Sequence, residues 1–347
     1  MSFSVNGPSP RPARTKPELV CPAGSLPALK AAIDHGADAV YMGWRDATNA
    51  RNFPGLNFDE AQAAAGIAYA HARGAKVLLA LNTYAAPDNV ALWRRAVDRA
   101  AQAGVDALIL ADAALLRYAS RTYPELRLHL SVQASATSHL AINFYHEQFG
   151  IQRAVLPRVL SLKQVEDLIR HAIPEIEVFG FGSLCVMVEG RCHLSSYVTG
   201  EAPNRHGACS PARAVRWIDT PNGVDSRLNG VLIDHFEPDE MAGYPTLCKG
   251  RFAVNDQNYY ALEEPTSLNT IAILPELVRS GVAAIKIEGR QRSPAYVAQV
   301  TQIWREAIDA CGADIGRYTP RPHWNAGLAK VAEGSQHTLG AYHRPWK

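Results

Sequence analysis

The sequence has no long apolar run and no strong charge of either sign. No stretch approaches the roughly 18 consecutive apolar residues of a transmembrane helix, and residues 1–18 lack the apolar core of a secretory signal peptide. We therefore expect a cytoplasmic protein without an integral membrane segment. The formal net charge of the 347 residues is +2. This is too small to indicate a nucleic-acid partner, which would favour a dense stripe of Lys and Arg, but it is compatible with a small anionic substrate.

Hydrolase motifs and close cysteine pairs are also absent. The chain contains neither H-E-x-x-H, which binds zinc in metallopeptidases, nor the G-x-S-x-G elbow of serine hydrolases. Structural zinc sites usually contain cysteine pairs with two to four residues between them. The closest pair in this chain has six residues between its members.

Cysteines are nevertheless concentrated in one part of the chain. Four of the six fall in a 64-residue stretch with the spacing C-x6-C-x16-C-x38-C: Cys185, Cys192, Cys209 and Cys248. In a reducing compartment such a group indicates metal binding or catalysis rather than disulfides. Four thiolates are the ligand set of an iron–sulfur cluster, and the wide spacing favours a cluster over zinc, although zinc and unliganded thiols stay open. Cys21 and Cys311 stand apart and are expected to be buried apolar fillers.

The rest of the chain alternates short apolar runs with amphipathic stretches. Eight runs predict β-strands: Leu19–Ala23, Ala39–Gly43, Lys76–Asn82, Ala107–Ala111, Arg127–Val132, Gln152–Leu156, Ile176–Phe181 and Ala283–Ile287. The last two helices are predicted over Ser267–Ser280 and Ser293–Ala310. Eight strand–helix units predict an α/β fold, a (β/α)8 TIM-like barrel, and a doubly wound open sheet is the alternative.

The alternation breaks after the seventh strand. Residues 182–266 separate that strand from its helix, and a structureless loop of this length is improbable in a compact domain, so we expect a cysteine-bearing insertion with a function or a small fold of its own. Loops that follow barrel strands form the catalytic face. The predicted organisation is a disordered extension (1–17), a barrel (18–312) that includes the insertion (182–266), and a C-terminal segment (313–347).

One segment of the insertion carries a family signature. Glu177–Ser195 reads EVFGFGSLCVMVEGRCHLS, which matches E-x-F-x-x-G-S-L-C, four residues, G-x-C-x-L-S throughout. On this signature the chain resembles the collagenase-like peptidase family, U-32. The resemblance extends from ELVCPAG at 18–24 to IEGRQ at 287–291. Segments such as SVQASATS, GACSPAR and GYPTLCKGR are most similar to family members that act in ubiquinone biosynthesis.

This resemblance implies an activity, a cofactor and partners. It implies a [4Fe-4S] cluster on Cys185, Cys192, Cys209 and Cys248. The protein would then be the iron–sulfur subunit of an oxygen-independent hydroxylase of the ubiquinone ring, in a heterodimer with a second family member, UbiV. The lipid carrier UbiT would assist, a ubiquinone precursor would be the substrate, and prephenate would donate the hydroxyl group. Related members hydroxylate tRNA or ribosomal RNA, so an RNA-hydroxylating paralogue is an alternative, as is the peptidase of the family name.

Candidate catalytic residues follow from the charge of such a donor. A dicarboxylate favours arginine, whose guanidinium binds a carboxylate through two parallel hydrogen bonds. We select Arg213, which follows a cysteine of the insertion, and Arg290, which follows the eighth strand. Glu288, at the end of that strand, is the candidate catalytic carboxylate. For each of the three, an ordinary salt bridge is the alternative role.

Overall fold

Eight parallel strands form a closed barrel at the centre of the protein. The computed structural model describes residues 16–187, 192–203 and 209–343. The barrel strands are β1 (Glu18–Pro22), β2 (Ala39–Met42), β3 (Lys76–Leu81), β4 (Ala107–Leu110), β5 (Arg127–Leu130), β6 (Arg153–Val155), β7 (Glu175–Ser183) and, later in the chain, β14 (Ala284–Ile287). Strand β14 pairs with both β1 and β7 and so closes the sheet. The eight predicted strands and the TIM-like barrel are confirmed, and the open sheet is excluded. The predicted disordered extension, 1–17, lies outside the described residues except for its last two.

Helices surround the barrel. Those that follow barrel strands are α1 (Leu26–Asp34), α2 (Glu60–His71), α3 (Val90–Ala103), α4 (Ala113–Thr122), α5 (His139–Phe149), α6 (Leu162–His171), α8 (Leu274–Ser280) and α9 (Pro294–Ala313). Two more, α7 (His193–Thr199) and α10 (Pro322–Ala329), lie in the segment after β7 and near the C-terminus. Side chains cap several first turns; Ser161 forms a capping box with Gln164. In the described ranges, none of these helices combines the length and apolarity that a bilayer crossing requires.

The long segment after β7 has its own secondary structure. It contains a three-stranded antiparallel sheet of β8 (Val215–Thr220), β9 (Gly223–Leu228) and β10 (Val231–Phe236), and a hairpin of β11 (Arg251–Val254) and β12 (Gln257–Tyr260). The two residues of the hairpin turn, Asn255 and Asp256, have φ of 50° and 62°. Asn and Asp tolerate this left-handed region best after glycine, and positive φ at both central positions is typical of a type I′ turn.

One helix begins later in the structure than the sequence predicts. Ser267–Asn269 form a strand, β13, that pairs antiparallel with the end of β7, and α8 begins only at Leu274. A strand of the C-terminal segment, β15 (His337–Thr338), pairs parallel with β13. The helical prediction over 267–270 is therefore wrong, because pairing with distant strands on both sides overrides local helix propensity, whereas Ile271–Ile273 form a short 3-10 helix that leads into α8.

The interior of the barrel is apolar on one side and charged on the other. Strands β1 to β4 and β14 contribute an apolar cluster, whereas β5, β6, β7 and β14 contribute buried polar side chains: His129, Arg153, Glu177 and Lys286. Arg153 contacts Glu18, Glu175 and Glu177 at 2.7, 2.8 and 3.3 Å. Buried charges are tolerated where such partners compensate for lost hydration.

These ion pairs predict a specific acid sensitivity. Burial by itself raises the pKa of the Glu18 carboxyl, but Arg153 and Lys76, each 2.7 Å away, outweigh it and lower the pKa from 4.5 to about 2. The pairs therefore stabilise the fold above pH 4.5, and this contribution is lost as the pH falls toward 2. Urea denaturation across this range should show a smaller pH-dependent loss of stability in Glu18→Gln than in the wild type. The exposed-residue control Glu147→Gln should follow the wild type; an unchanged slope for Glu18→Gln would contradict the assignment.

Candidate functional site

A cavity of about 200 Å³ opens at the carboxyl ends of the barrel strands. Its walls come from β2 to β7, from β14 and from the segment after β7. In (β/α)8 barrels this end is the catalytic face, because the loops that follow the strands meet there. The cavity is therefore the candidate active site.

All four cysteines of the insertion line this one cavity. Cys185 follows the end of β7 by two residues, and Cys192 is the N-cap of α7. Cys209 precedes a short turn at Ala212–Ala214, and Cys248 is in a turn at Leu247–Lys249. Four separate chain segments thus bring thiols to one place at the barrel mouth.

Hydrogen bonds fix the segments that carry these thiols. The Ser195 N–H points at the Cys192 Sγ at 3.4 Å, and the Ser195 hydroxyl donates to the Cys209 carbonyl at 2.6 Å. Ser195 is buried. The Glu263 N–H donates to the Cys248 carbonyl at 3.1 Å. One serine therefore links two of the cysteine segments, and a backbone bond holds a third.

The thiols lie close enough together to influence each other's ionisation. Burial raises the pKa of the Cys248 thiol to about 12, and Cys209 and Cys185 add to the effect while Lys249 opposes it. Burial also raises the pKa of the Cys209 thiol, which lines the same cavity. Without a cation at this place the two thiols stay protonated near neutral pH. A metal centre would displace these protons, because thiolates are the binding form.

The cavity thiols do not form a ready-made site for a single ion. Within the described residues, the one group of three or more His, Cys, Asp or Glu side chains whose ligand atoms all lie within 4.8 Å is His139, Asp167 and His171, outside the cavity. No three of the cavity thiols are that close. Tetrahedral zinc at about 2.3 Å from each sulfur needs sulfurs about 3.8 Å apart. A cubane cluster bonds each cysteine to a different iron and so holds the sulfurs farther apart.

Arg290 places a buried positive charge in the cavity that the thiols line. It lines the cavity, is 4% exposed, and its Nη1 has no hydrogen-bond partner among the described residues. Burial lowers the pKa of its guanidinium to about 10. A buried cation of this kind is unfavourable unless an anion accompanies it. The position is therefore suited to an anionic ligand, above all a carboxylate.

Two glycines make room for this arginine. A Cβ on Gly24 would lie 1.8 Å from the Arg290 carbonyl oxygen, and a Cβ on Gly43 would lie 2.8 Å from Arg290 Nη1 and 2.4 Å from the Asn49 amide nitrogen. Any larger residue at either position would displace the backbone or the side chain of Arg290. These glycines end the ELVCPAG segment and follow β2.

The remaining polar lining is mainly cationic. Arg51, Arg158 and Lys286 line the cavity together with Arg290, against one carboxylate, Glu288. Lys286 is paired with Glu177 at 2.7 Å and lies over the Tyr41 ring, 3.9 Å from its centroid. Gln133 is 5% exposed, and its Oε1 has no partner among the described residues. The cavity thus offers positive charge and one free amide oxygen.

The structure brings two of the three candidate catalytic residues to the cavity. Arg290 and Glu288 both line it. The Glu288 Oε2 also accepts from the Ser183 N–H at 3.3 Å, which ties it to the end of β7. Arg213 does not reach the cavity: its side chain is 70% exposed and pairs with Glu201. Its position in the sequence, four residues after Cys209, gave no information about the direction of the side chain.

Sequence reasoning missed Tyr41 and Lys286 as lining residues, as well as a contact of Glu333 described below. Tyr41 and Lys286 are on strands, where only the alternation of inward and outward positions could have shown that they face the interior. Glu333 is in the C-terminal segment, where no pattern pointed to the site.

Comparison with protein families agrees with the signature around the cysteines. The model of peptidase family U32 matches residues 24–345. The chain belongs to peptidase family U32.

Several curated U32 relatives carry names that refer to RNA. The chain is 34% identical to tRNA hydroxylation protein P of Escherichia coli K12, over 86% of this chain and 69% of that protein. It is 32% identical to tRNA hydroxylation protein P1 of Bacillus subtilis 168, over 96% and 72%. It is 30% identical to the 23S rRNA 5-hydroxycytidine C2501 synthase of Escherichia coli K12, over 84% of this chain and 39% of that protein. Hydroxylation is the activity that these three names share.

The buried charge of Arg290 predicts opposite effects on stability and on ligand binding. Arg290→Met should raise the free energy of unfolding by about 1–3 kcal/mol, because it removes a buried cation whose Nη1 has no hydrogen-bond partner among the described residues. We also expect a small carboxylate ligand to raise the melting temperature of the wild type and to leave that of the variant unchanged. Chemical denaturation and thermal melts check the two effects. The matched control Arg213→Met, at an exposed arginine, should keep the ligand response; a destabilised Arg290→Met would refute the assignment.

Proposed function

We propose that this protein is the iron–sulfur component of an oxygen-independent hydroxylase of the UbiU type, which acts on the ring of a ubiquinone precursor. The observation that carries this proposal is the convergence of Cys185, Cys192, Cys209 and Cys248 on one cavity that also contains Arg290. A [4Fe-4S] cluster would be held by the four thiols. When bound, it would supply one-electron transfer at the barrel mouth.

The charge of the cavity supports prephenate as the hydroxyl donor. Arg290 would bind one carboxylate, and the lining cations Arg51 and Lys286 add positive charge around it. The free Gln133 Oε1 would accept a hydrogen bond from a hydroxyl group. Apolar lining residues such as Val155 and Phe179 would contact the ring and exclude water. These residues would bind and orient the donor beside the thiols.

The surface of the insertion supports a protein partner. Eleven of the fourteen exposed large hydrophobic side chains of the described residues fall within 182–266, among them Tyr197 (92% exposed), Met241 (81%) and Trp217 (45%). Clustered exposed apolar surface marks interaction sites. We propose that UbiV covers this surface in a heterodimer, and that UbiT presents the lipid substrate.

RNA hydroxylation is the second candidate function. The names of the E. coli and B. subtilis relatives favour it, since both are tRNA hydroxylation proteins. The same thiols and the same cavity would serve either substrate. The formal net charge of +2 does not by itself favour an RNA partner. Peptidase activity, which the family name suggests, has no support from a hydrolase motif in the sequence.

The cluster proposal predicts the effect of each cysteine. Cys185→Ala, Cys192→Ala, Cys209→Ala and Cys248→Ala should each lose much of the iron and the visible absorbance of anaerobically purified protein, because each variant removes one of the four thiolates that would anchor the cluster. Cys311→Ala, at a buried cysteine in α9, is the matched control and should keep both. Iron and acid-labile sulfide per chain are the measurements. A colourless wild-type protein that still supports hydroxylation would exclude the cluster.

A deletion strain separates the two substrates. If the protein acts on ubiquinone, anaerobically grown cells without it should accumulate an unhydroxylated quinone precursor and keep normal tRNA and rRNA hydroxylation. Mass spectrometry of lipids and of nucleosides from the same culture measures both. Normal quinone with missing hydroxyuridine or hydroxycytidine would favour the RNA function, and complementation with the Cys248→Ala variant should fail in either case.

A further inference from the structure

The carboxylate of Glu333 contacts the two segments that carry the first and the last cysteine of the insertion. Glu333 is in a short turn, Glu333–Ser335, of the C-terminal segment. One of its oxygens accepts from the Ser183 hydroxyl at 2.5 Å, and the other pairs with Lys249. Ser183 is two residues before Cys185, and Lys249 directly follows Cys248. One carboxylate from outside the insertion therefore joins the segments of its first and last cysteines.

The contact with Lys249 is shielded from solvent. The Lys249 side chain is 8% exposed and that of Glu333 is 26% exposed. Lys249 Nζ also donates to the Thr266 carbonyl at 3.3 Å. A buried ammonium that loses its carboxylate partner must move toward water, and the backbone at Cys248 would move with it.

The position of Glu333 is itself fixed by the strand pairing. The Glu333 N–H donates to the Ser267 hydroxyl at 2.9 Å, at the start of β13. Strand β13 pairs on one side with the end of β7 and on the other with β15. A Cβ on Gly334, the next residue, would lie 2.2 Å from the Pro265 carbonyl oxygen, so the turn packs directly on the end of the insertion. The carboxylate is thus held by rigid elements.

We propose that Glu333 is a positioning residue, which sets the separation of the Cys185 and Cys248 segments so that both thiols reach one cluster. This inference rests on the proposed iron–sulfur function. Under this proposal the C-terminal segment helps to position the cluster ligands, although it contributes no ligand of its own. Residues that hold metal ligands in place affect metal affinity by about 10–100-fold when they are changed.

The test measures how firmly the cluster is held. Full-length wild type and Glu333→Gln are loaded anaerobically, and the decay of visible absorbance is followed in excess chelator. We expect Glu333→Gln to lose iron about tenfold faster or more, with an altered electron paramagnetic resonance spectrum of the reduced cluster. Ser183→Ala, which removes only one of the two links, should change the rate in the same direction by less. Glu333→Gln combined with Lys249→Met should have less than the summed effect of the two single variants, because each of them already removes the Glu333–Lys249 pair.

The matched control is Glu306→Gln in α9. Glu306 accepts from the Trp324 indole N–H at 2.9 Å and is remote from the cysteine segments. It should leave the iron-loss rate at the wild-type value. If the wild type holds a cluster and Glu333→Gln loses iron no faster than Glu306→Gln, the positioning role is refuted while the proposed function stands. If the wild type holds no cluster, the proposed function fails. Should Glu333→Gln fail to fold, Ser183→Ala decides by the same comparison.

Discussion

The pairing of β14 with both β1 and β7 is the constraint on which the rest of the structure depends. It closes the barrel and places the residues that follow β14 beside those that follow β7. Glu288 and Arg290 come from the first of these strand ends and Cys185 from the second. Because β7 also pairs with β13 beyond the barrel rim, the insertion leaves and rejoins the barrel next to the same strand. The site is thus built where two ends of the sheet meet.

Buried arginine charges are compensated to different extents at the two ends of the barrel interior. Toward the amino ends of the strands, Arg153 is surrounded by three carboxylates, and the pKa of Glu18 falls accordingly. At the carboxyl ends, Arg290 is as deeply buried but its Nη1 has no such partner among the described residues. The Arg290 site is therefore better suited to an anionic ligand than the site of Arg153. The buried charge of Arg290 and the thiols with raised pKa values lie in the same cavity. A bound anion would compensate the charge of Arg290, and a metal centre would displace the protons of the thiols.

The strands were predictable because their signal is local. Val, Leu, Ile and Ala runs such as KVLLAL at 76–81 need no partner to be recognised as buried parallel strands. The prediction of a helix from Ser267 was wrong, since Ser267–Asn269 have neighbours in β7 and β15 that lie 84 and 70 residues away in the sequence. Arg213 and Arg290 looked equivalent in the sequence. Only one points into the cavity, because side-chain direction depends on the packing of the segment that carries it.

The sequence by itself determined the number of barrel strands, the place of the insertion and the family, because apolar periodicity and a contiguous signature are properties of neighbouring residues. The tertiary structure decided which polar groups share a cavity. It brought together thiols up to 63 positions apart, selected Arg290 over Arg213, and placed Glu333 of the C-terminal segment between the segments of Cys185 and Cys248. Contacts of this kind depend on strand closure and on the desolvation of facing side chains, which no local pattern encodes.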